Sequence, residues 1–521
     1  MRGQRRERMT DDADVIIIGG GHNGLVAAAY LARAGRRVFV VEARHWLGGA
    51  VVGEQIFPGM AVRLSRFSYL VSLFPNVIIA DLDLDLELRS RRVASYTPVR
   101  DGGLLVERDA GPLTRTSFAQ LTGSDAEYAR WQQLTSRLQS VASLLAPTLT
   151  HQLPRAAEMR EKLTPSLWTA LIERPIGELL EDALTDDTVR GVVATDAVIG
   201  TFASLADPSR RQNRCFLYHV IGNGNGEWRV PVGGMGRVAS QLSNAARRAG
   251  AALSADTRVA HIRPDDSGGG TAVLADGSRH RAPFILANCA PSVLGSLLGN
   301  RSATPEGSQI KINLLVRRLP RFRSGIDPTI GFGGTLHLGQ GYRRLQQAFE
   351  EAASGRIPDP LPCEVYCHTL TDPSILSADL RNAGYHTLTL FGLHTPARLF
   401  VTDPSGAREQ AKRAALHALQ AVLGEPLENC LAVDKHGAPC VEVMSPLDIE
   451  AELLMPGGHI FHGDLSWPWL ADDATVSSAA ERWGVSTDYP GIFLCGSGAV
   501  RGGAVSGLGG HNAAMAVLAA D

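Results

Sequence analysis

Residues 14–49 read DVIIIGGGHNGLVAAAYLARAGRRVFVVEARHWLGG, and this stretch decides the fold. Val15–Ile18 is a short β-branched apolar run of the kind that fills a buried parallel strand, and it stops at a glycine cluster. Ala27, Ala28, Tyr30, Leu31 and Ala34 then place small and apolar side chains at helical spacing. Gly35 ends that helix, and Val38–Val41 forms a second strand closed by Glu42. The pattern is one strand-helix-strand unit. Gly19-x-Gly21-x-x-Gly24 falls at its strand-to-helix turn, where glycines give a tight turn, a close backbone approach to a pyrophosphate and close helix packing. The exposed N–H groups and positive end of the helix then face the phosphates. Glu42, about 20 residues on, is placed to accept hydrogen bonds from ribose hydroxyls. The residues alone therefore predict a dinucleotide site.

Working outward, 521 residues are too many for one ordinary core and imply more than one domain. A net charge of -2 creates no field for nucleic acid, so no nucleic-acid partner is expected. The chain has no apolar run long enough to span a bilayer. Its arginine-rich first residues lack the apolar segment of a secretory signal, and residues 1–12 are expected to form a disordered leader, with Met9 as an alternative start. Seven scattered cysteines fit reduced thiols and a cytoplasmic location. Cys363 and Cys367 share one expected strand face, too far apart for a disulfide.

Residues 96–108 predict a hairpin turning at Asp101-Gly102-Gly103. Helices are expected from Ser124 onward, over 163–184 and over 187–203, forming a helical insertion over the substrate. Leu167, Trp168, Leu171 and Ile172 make an apolar stripe, read either as a peripheral membrane contact or, the favoured reading, as a buried core face. Gly233-Gly234-Met235-Gly236 opens a further helix. The block around it reads as the second part of the dinucleotide fold, with the Val259 backbone near the adenine. A strand-rich region begins near Ser308. His459 and His462 in the loop GGHIFHGD suggest a metal pair, but no third and fourth ligand is evident, and no metal is expected. At the end of the chain, the run LCGSGAVRGGAVSGLGGHNAA offers a second strand, glycine loop and helix, starting near Ser506 or Gly507.

The runs IIIGGGHNGL, GGMG, KINLLVRRLP, MPGGHIFHGDLSW and LCGSGAVRGGAVSGLGGHNAA together resemble the phytoene desaturase-related flavoproteins, the carotenoid and retinoid oxidoreductase family. The resemblance is closest to the subgroup named pyridine nucleotide-disulfide oxidoreductase domain-containing protein 2. It implies FAD, since the Gly48-Gly49 pair follows the ribose-binding acid as in that family. It also implies a discontinuous glutathione reductase-type FAD-binding Rossmann fold of the α/β class, with a second α+β substrate domain and a helical insertion. The implied division is 13–95, 230–300 and 481–521 for the FAD-binding domain, 96–229 for the helical insertion and first substrate part, and 301–480 for the second. The implied cofactor residues are Gly19, Gly21, Gly24, Glu42, Ala43, Arg44, Gly48, Gly49, Ala50, Val259, Gly496, Ser497, Val505, Ser506 and Gly507. Arg63, Ser65 and Arg66 are placed to reach the flavin side, with ordinary surface roles as the alternative. Ala499-Val500-Arg501-Gly502 replaces the Thr-His-Pro-Gly run usual in phytoene desaturases, which argues against a carotenoid substrate. No pair of cysteines spaced for a redox dithiol follows the first unit, which argues against disulfide exchange.

The expected activity is an FAD-dependent dehydrogenase or oxidase, phytoene dehydrogenase-like in type, taking hydride from a C–H bond of an apolar or amphipathic small molecule. An amine oxidase, a carotenoid-type isomerase and a non-enzyme resembling GDP dissociation inhibitors are the alternatives. No convincing Trp or Tyr pair precedes the terminal motif to form the aromatic cage of an amine oxidase, and the complete set of phosphate-binding glycines with Glu42 argues against the non-enzyme. No dedicated catalytic base is assignable. His219 and His462 are the candidates, and a structural role is favoured for each. Oligomeric state is not legible.

Overall fold

The computed structural model describes residues 13–99, 102–222, 224–301 and 303–520, so the expected leader and the turn residue Asp101 lie outside the described residues. Val15–Ile18, every residue of which is buried, is the middle strand of a five-stranded sheet. Phe284–Ala287 lies parallel on one side, with Val15 opposite Phe284, and Val38–Val41 lies parallel on the other, with Val15 opposite Val38. Ile492–Leu494 and Ala252–Ser254 complete the two edges, again in parallel. The sheet is thus assembled from strands that lie far apart in the chain. A central strand buried on both faces is what the unbroken Val-Ile-Ile-Ile run is suited to.

Helix His22–Arg33 covers one face of this sheet, with Leu25, Val26, Ala27, Ala28 and Ala29 all buried. The last helix, Leu508–Leu518, packs directly on it. The packing is close because the contacting residues are small: a Cβ added to Gly510 would lie 1.9 Å from the Asn23 carbonyl oxygen. Helix Gly234–Arg248 packs on the same apolar layer through Met235, Val238 and Leu242. Val259–Pro264, Gly270–Leu274 and Arg279–Ala282 form a small antiparallel sheet beside it.

A larger sheet of seven strands runs in the order Val441–Met444, Ile310–Val316, His386–Gly392, Cys363–Tyr366, Thr335–Leu338, Val93–Val99 and Gly102–Glu107. All its neighbours are antiparallel except Thr335–Leu338 against Val93–Val99. Strand Val93–Val99 runs across the domain boundary expected at residue 95, because its partners are both in this sheet.

The helical insertion differs in detail from the expectation. In place of one helix over 163–184 there are Pro165–Trp168, a wider π turn at Thr169–Glu173, and Ile176–Ala183. Pro175 is the cause: it has no N–H to continue the ladder, and it holds Arg174 extended at φ -113 and ψ 153. The helix expected over 187–203 ends at Thr195. Leu167, Trp168, Leu171 and Ile172 are buried in the core of this layer, against Leu217, Phe461 and Trp469, so the stripe is a packing face and offers nothing to a membrane. Among the described residues no helix is long and apolar enough to cross a membrane. Cys363 is on a strand that stops at Tyr366, Cys367 follows it, and both thiols are free.

Candidate functional site

The strand Val15–Ile18 delivers its chain into Gly19, whose φ of +101 is a conformation that an L side chain resists. The Gly19 N–H donates to the Val41 carbonyl at 2.8 Å, so the turn is tied to the second strand. The helix then begins at His22 with Gly21 as its N-cap and no side chain capping it, which leaves first-turn N–H groups for an anion. Gly24 has to be glycine for another reason. A Cβ there would stand 2.4 Å from the Gly19 carbonyl oxygen, so any side chain would push the helix off the turn.

Glu42 fixes the far side. Its Oε2 accepts from Gly20 N at 2.7 Å and its Oε1 from Arg44 N at 2.8 Å, which orients the carboxylate and leaves lone pairs for ribose hydroxyls. Burial raises its pKa. The Glu42 carbonyl accepts from Thr257 N at 2.7 Å, bringing Val259 into the same wall. Gly48 N donates to the Gly20 carbonyl at 2.8 Å, holding the second glycine pair against the first.

The last loop meets this one. Cys495 N donates to the Ala287 carbonyl at 2.9 Å, and the chain passes through Gly496 and Ser497 to Gly507, the N-cap of the last helix. His22 Nε2 lies 3.2 Å from the Ala504 carbonyl, and Asn23 Nδ2 donates to the Gly502 carbonyl at 3.4 Å. Asn288, just after strand Phe284–Ala287, donates through Nδ2 to the Gly19 carbonyl at 2.8 Å. Arg501 is a large side chain with 1 % exposure, and it donates to the Thr148 and His151 carbonyls at 2.6 and 2.8 Å, fastening the loop to the helical insertion.

Between these loops runs one continuous cleft. Of the residues expected to hold the cofactor, Gly19, Gly21, Glu42, Ala43, Arg44, Gly49, Ala50, Val259, Ser497 and Val505 line it. Gly24, Gly48, Gly496, Ser506 and Gly507 do not line it and instead shape the backbone that does. His219 and His462 both line it, His219 at its other end, stacked on Trp228, and His462 beside the last loop, near Gly498 and His22. Arg63, Ser65 and Arg66 do not reach it. Arg66 is held 2.8 Å from both Glu54 and Glu442, and Ser65 Oγ accepts from Met235 N, so the turn that follows, from Phe67 to Leu70, forms the wall instead.

That end of the cleft is aromatic. The Tyr69 ring lies 4.6 Å from Phe391 and 4.2 Å from Tyr366 behind it, and Trp228 stacks on His219 at 4.8 Å and 17°. Tyr366 donates its hydroxyl to Glu364 Oε2 at 2.6 Å, and His337 stands 3.6 Å from the same carboxylate. Lys311 Nζ donates to the Ser65 carbonyl at 2.8 Å and lies 5.1 Å from the Phe391 ring centroid; burial pushes it down to about 7. Burial likewise pushes His462 down to about 3 and His22 to about 4. His462 has a positive φ, +63, and a buried Nδ1 with no hydrogen-bond partner. Among the described residues no group of three or more His, Cys, Asp or Glu is placed to hold a metal.

Asn288, Tyr69, Trp228 and Phe391 are therefore site residues that the sequence did not single out, with Lys311 behind them. Only Asn288 carried a usable signal, its place directly after the buried strand Phe284–Ala287. The aromatic residues come from segments far apart in the chain, and no spacing relates them.

The family model described as FAD dependent oxidoreductase matches residues 14–83. An uncharacterized protein of Mycobacterium tuberculosis is 47% identical over 523 residues, covering 98% of this chain and 97% of its own. Pyridine nucleotide-disulfide oxidoreductase domain-containing protein 2 of Mus musculus is 30% identical over 571 residues, covering 98% of this chain and 94% of its own. Among solved structures, a putrescine oxidase mutant from a redesign of cofactor binding superposes with a TM-score of 0.59, covering 98% of this chain and 99% of that one. At 16% identity this last likeness shows a shared fold.

Proposed function

This chain belongs to the family of FAD-dependent oxidoreductases that includes pyridine nucleotide-disulfide oxidoreductase domain-containing protein 2, its cofactor is FAD, and on that premise we propose that it oxidises a C–H bond of an apolar or amphipathic small molecule. The observation that carries the reading is the continuity of the cleft. One space runs from Glu42 and the Gly19–Gly21 turn to a chamber walled by Tyr69, Trp228 and Phe391.

The fit of FAD to the first half rests on three features: N–H groups without a side-chain cap at His22–Arg33, a carboxylate already oriented by two backbone donors, and a Gly24 position with no room for a side chain. We assign the pyrophosphate to Gly21, His22 and Ser497, the ribose to Glu42 and the adenine to the wall at Val259. FAD, when bound, supplies the hydride acceptor. The chain's own share is binding and orientation. Tyr69, Phe391 and Trp228 exclude water and press a substrate flat, and Lys311, tied to the Ser65 carbonyl, backs the Phe391 face of the wall. A phytoene dehydrogenase-like specificity for extended hydrocarbons is one form of this reading. The apolar character of Ile199, Ile460 and Phe461 supports it.

The test is anaerobic exposure of the purified yellow protein to a panel of amines, polyenes and acyl compounds. Bleaching of the flavin band by an apolar or amphipathic member is the expected result. A flavin that only small hydrophilic compounds bleach would overturn the reading.

A further inference from the structure

Glu364 is a carboxylate with 2 % exposure, set in the seven-stranded sheet behind the aromatic wall. The register places it opposite Phe391 on one side and His337 on the other, so the three side chains share a sheet face. Its Oε2 accepts from the Tyr366 hydroxyl at 2.6 Å, and its Oε1 stands 3.6 Å from His337 Nε2. The His337 ring is tied in turn, through Nδ1, to Thr97 Oγ1 at 3.1 Å. Arg91, also buried, lies over the Tyr366 ring at 5.5 Å. As structure alone a carboxylate here is a cost, since apolar residues would hold the same strands together.

Two hydroxyls connect this carboxylate to the cleft. Glu364, Tyr366 and His337 do not line it, but Tyr69 does. Tyr69 packs on Tyr366 with ring centroids 4.2 Å apart, and their hydroxyls are hydrogen-bonded. Burial, joined by the Glu364 charge, holds both hydroxyls well above the ordinary tyrosine value, so each keeps its proton. Tyr366 has a single proton, and a carboxylate can only accept. That proton is therefore committed to Glu364, and the Tyr366 oxygen accepts from Tyr69. The Tyr69 oxygen keeps lone pairs of its own, on a residue that walls the chamber.

We propose that Tyr69, Tyr366 and Glu364 form a proton relay, and that the substrate is an alcohol with an apolar body whose hydroxyl meets Tyr69. This rests on the flavoprotein reading above. On oxidation the alcohol O–H bond breaks and its proton passes to the Tyr69 oxygen. Tyr69 hands its own proton to Tyr366, and Tyr366 hands its own to Glu364, which ends protonated. The carbinol C–H bond breaks with its electron pair, the hydride goes to FAD, and the C–O bond becomes a carbonyl. Tyr69 is then the catalytic residue, and Tyr366 and Glu364 act through it. An amine would enter as an ammonium, and among the described residues the only carboxylate lining the cleft is Glu42, at the dinucleotide end. A hydrocarbon offers Tyr69 no hydroxyl.

The test uses the FAD-loaded protein with 4-phenylbutan-1-ol, cinnamyl alcohol, 4-phenylbutylamine and butylbenzene. Binding is read from the change in the visible flavin spectrum, and oxidation from the anaerobic rate of flavin bleaching in water and in heavy water. We expect 4-phenylbutan-1-ol to bind about fivefold more tightly than butylbenzene, the worth of one hydrogen bond. At least one alcohol bleaches the flavin, and does so more slowly in heavy water. Tyr69→Phe, which keeps the ring, loses both the binding preference and the bleaching. Tyr366→Phe and Glu364→Gln keep the preference but bleach about a hundredfold more slowly, a split that a merely structural pair would not produce. Variants are compared at the wild-type FAD ratio, and Tyr69→Phe, altered on the cleft surface, decides alone if the buried variants lose FAD. Faster bleaching by the amine or the hydrocarbon than by either alcohol, or no bleaching by any probe, would overturn the proposal. So would a preference that survives Tyr69→Phe, an equal rate in heavy water, or a rate unchanged in Tyr366→Phe. A wild-type protein that takes up no FAD would instead sink the flavoprotein reading beneath it.

Discussion

Asn288 donates from Nδ2 to the Gly19 carbonyl at 2.8 Å, so a side chain from the middle of the sequence holds the glycine turn near its beginning. The same residue abuts the last loop, since a Cβ on Gly496 would stand 3.2 Å from Asn288 Oδ1. Three distant segments meet at one amide. Asn288→Ala removes the donor and leaves a carbonyl unpaired beside the phosphate site. FAD affinity is expected to fall about tenfold, the worth of one such bond, as read by fluorescence titration of the apoprotein.

Arg501 fastens the last loop to the helical insertion through the Thr148 and His151 carbonyls. Arg501→Met leaves both unpaired in a buried place. Equilibrium unfolding in urea is expected to show a loss of about 2–4 kcal/mol, with Arg501→Lys losing less.

Tyr69 forms the chamber wall with Phe391 and has no part in the dinucleotide half. Tyr69→Ala should therefore lower turnover of any substrate found by flavin bleaching by about tenfold or more while FAD content stays at the wild-type level. A parallel loss of FAD would place Tyr69 in the wrong half of the cleft.

Asp372 binds the turn before helix Gly234–Arg248, accepting from Gly233 N at 2.7 Å. Burial raises its carboxyl, but hydrogen bonds from His368, Ser374 and Gly233 outweigh it and hold the group well below the carboxylate range. A depressed acid stabilises the fold above its unfolded pKa, about 3.9, and the contribution is lost as pH falls toward the folded value. Melting temperature measured from pH 6 downward should decline less steeply below about pH 4 in Asp372→Asn than in the wild type, from a lower starting point.

The dinucleotide half was legible because its chemistry is local: Gly19, Gly21, Gly24 and Glu42 sit within one strand-helix-strand unit, where spacing alone fixes neighbours. The last loop was legible for the same reason. The chamber was not, because Phe391 comes from a strand of the seven-stranded sheet while Tyr69 and Trp228 come from loops joined by the Val71–Arg229 bridge, pairings that no short-range pattern encodes. The absence of an aromatic pair near the terminal motif was accordingly a poor guide to whether an aromatic wall exists. The apolar stripe at Leu167–Ile172 had the periodicity of a packing face, and burial alone decided between core and membrane.

The central claim is that FAD lies on the Gly19–Gly24 turn, and the most direct measurement is titration of the apoprotein with FAD beside Gly24→Ala, whose Cβ would stand 2.4 Å from the Gly19 oxygen. The account predicts a yellow complex of one FAD per chain for the wild type. For the variant, with its circular dichroism unchanged, it predicts binding weakened at least about a hundredfold, on the scale of a backbone forced apart in a packed site. A wild type that stays colourless, or a variant that binds FAD as the wild type does, would contradict it.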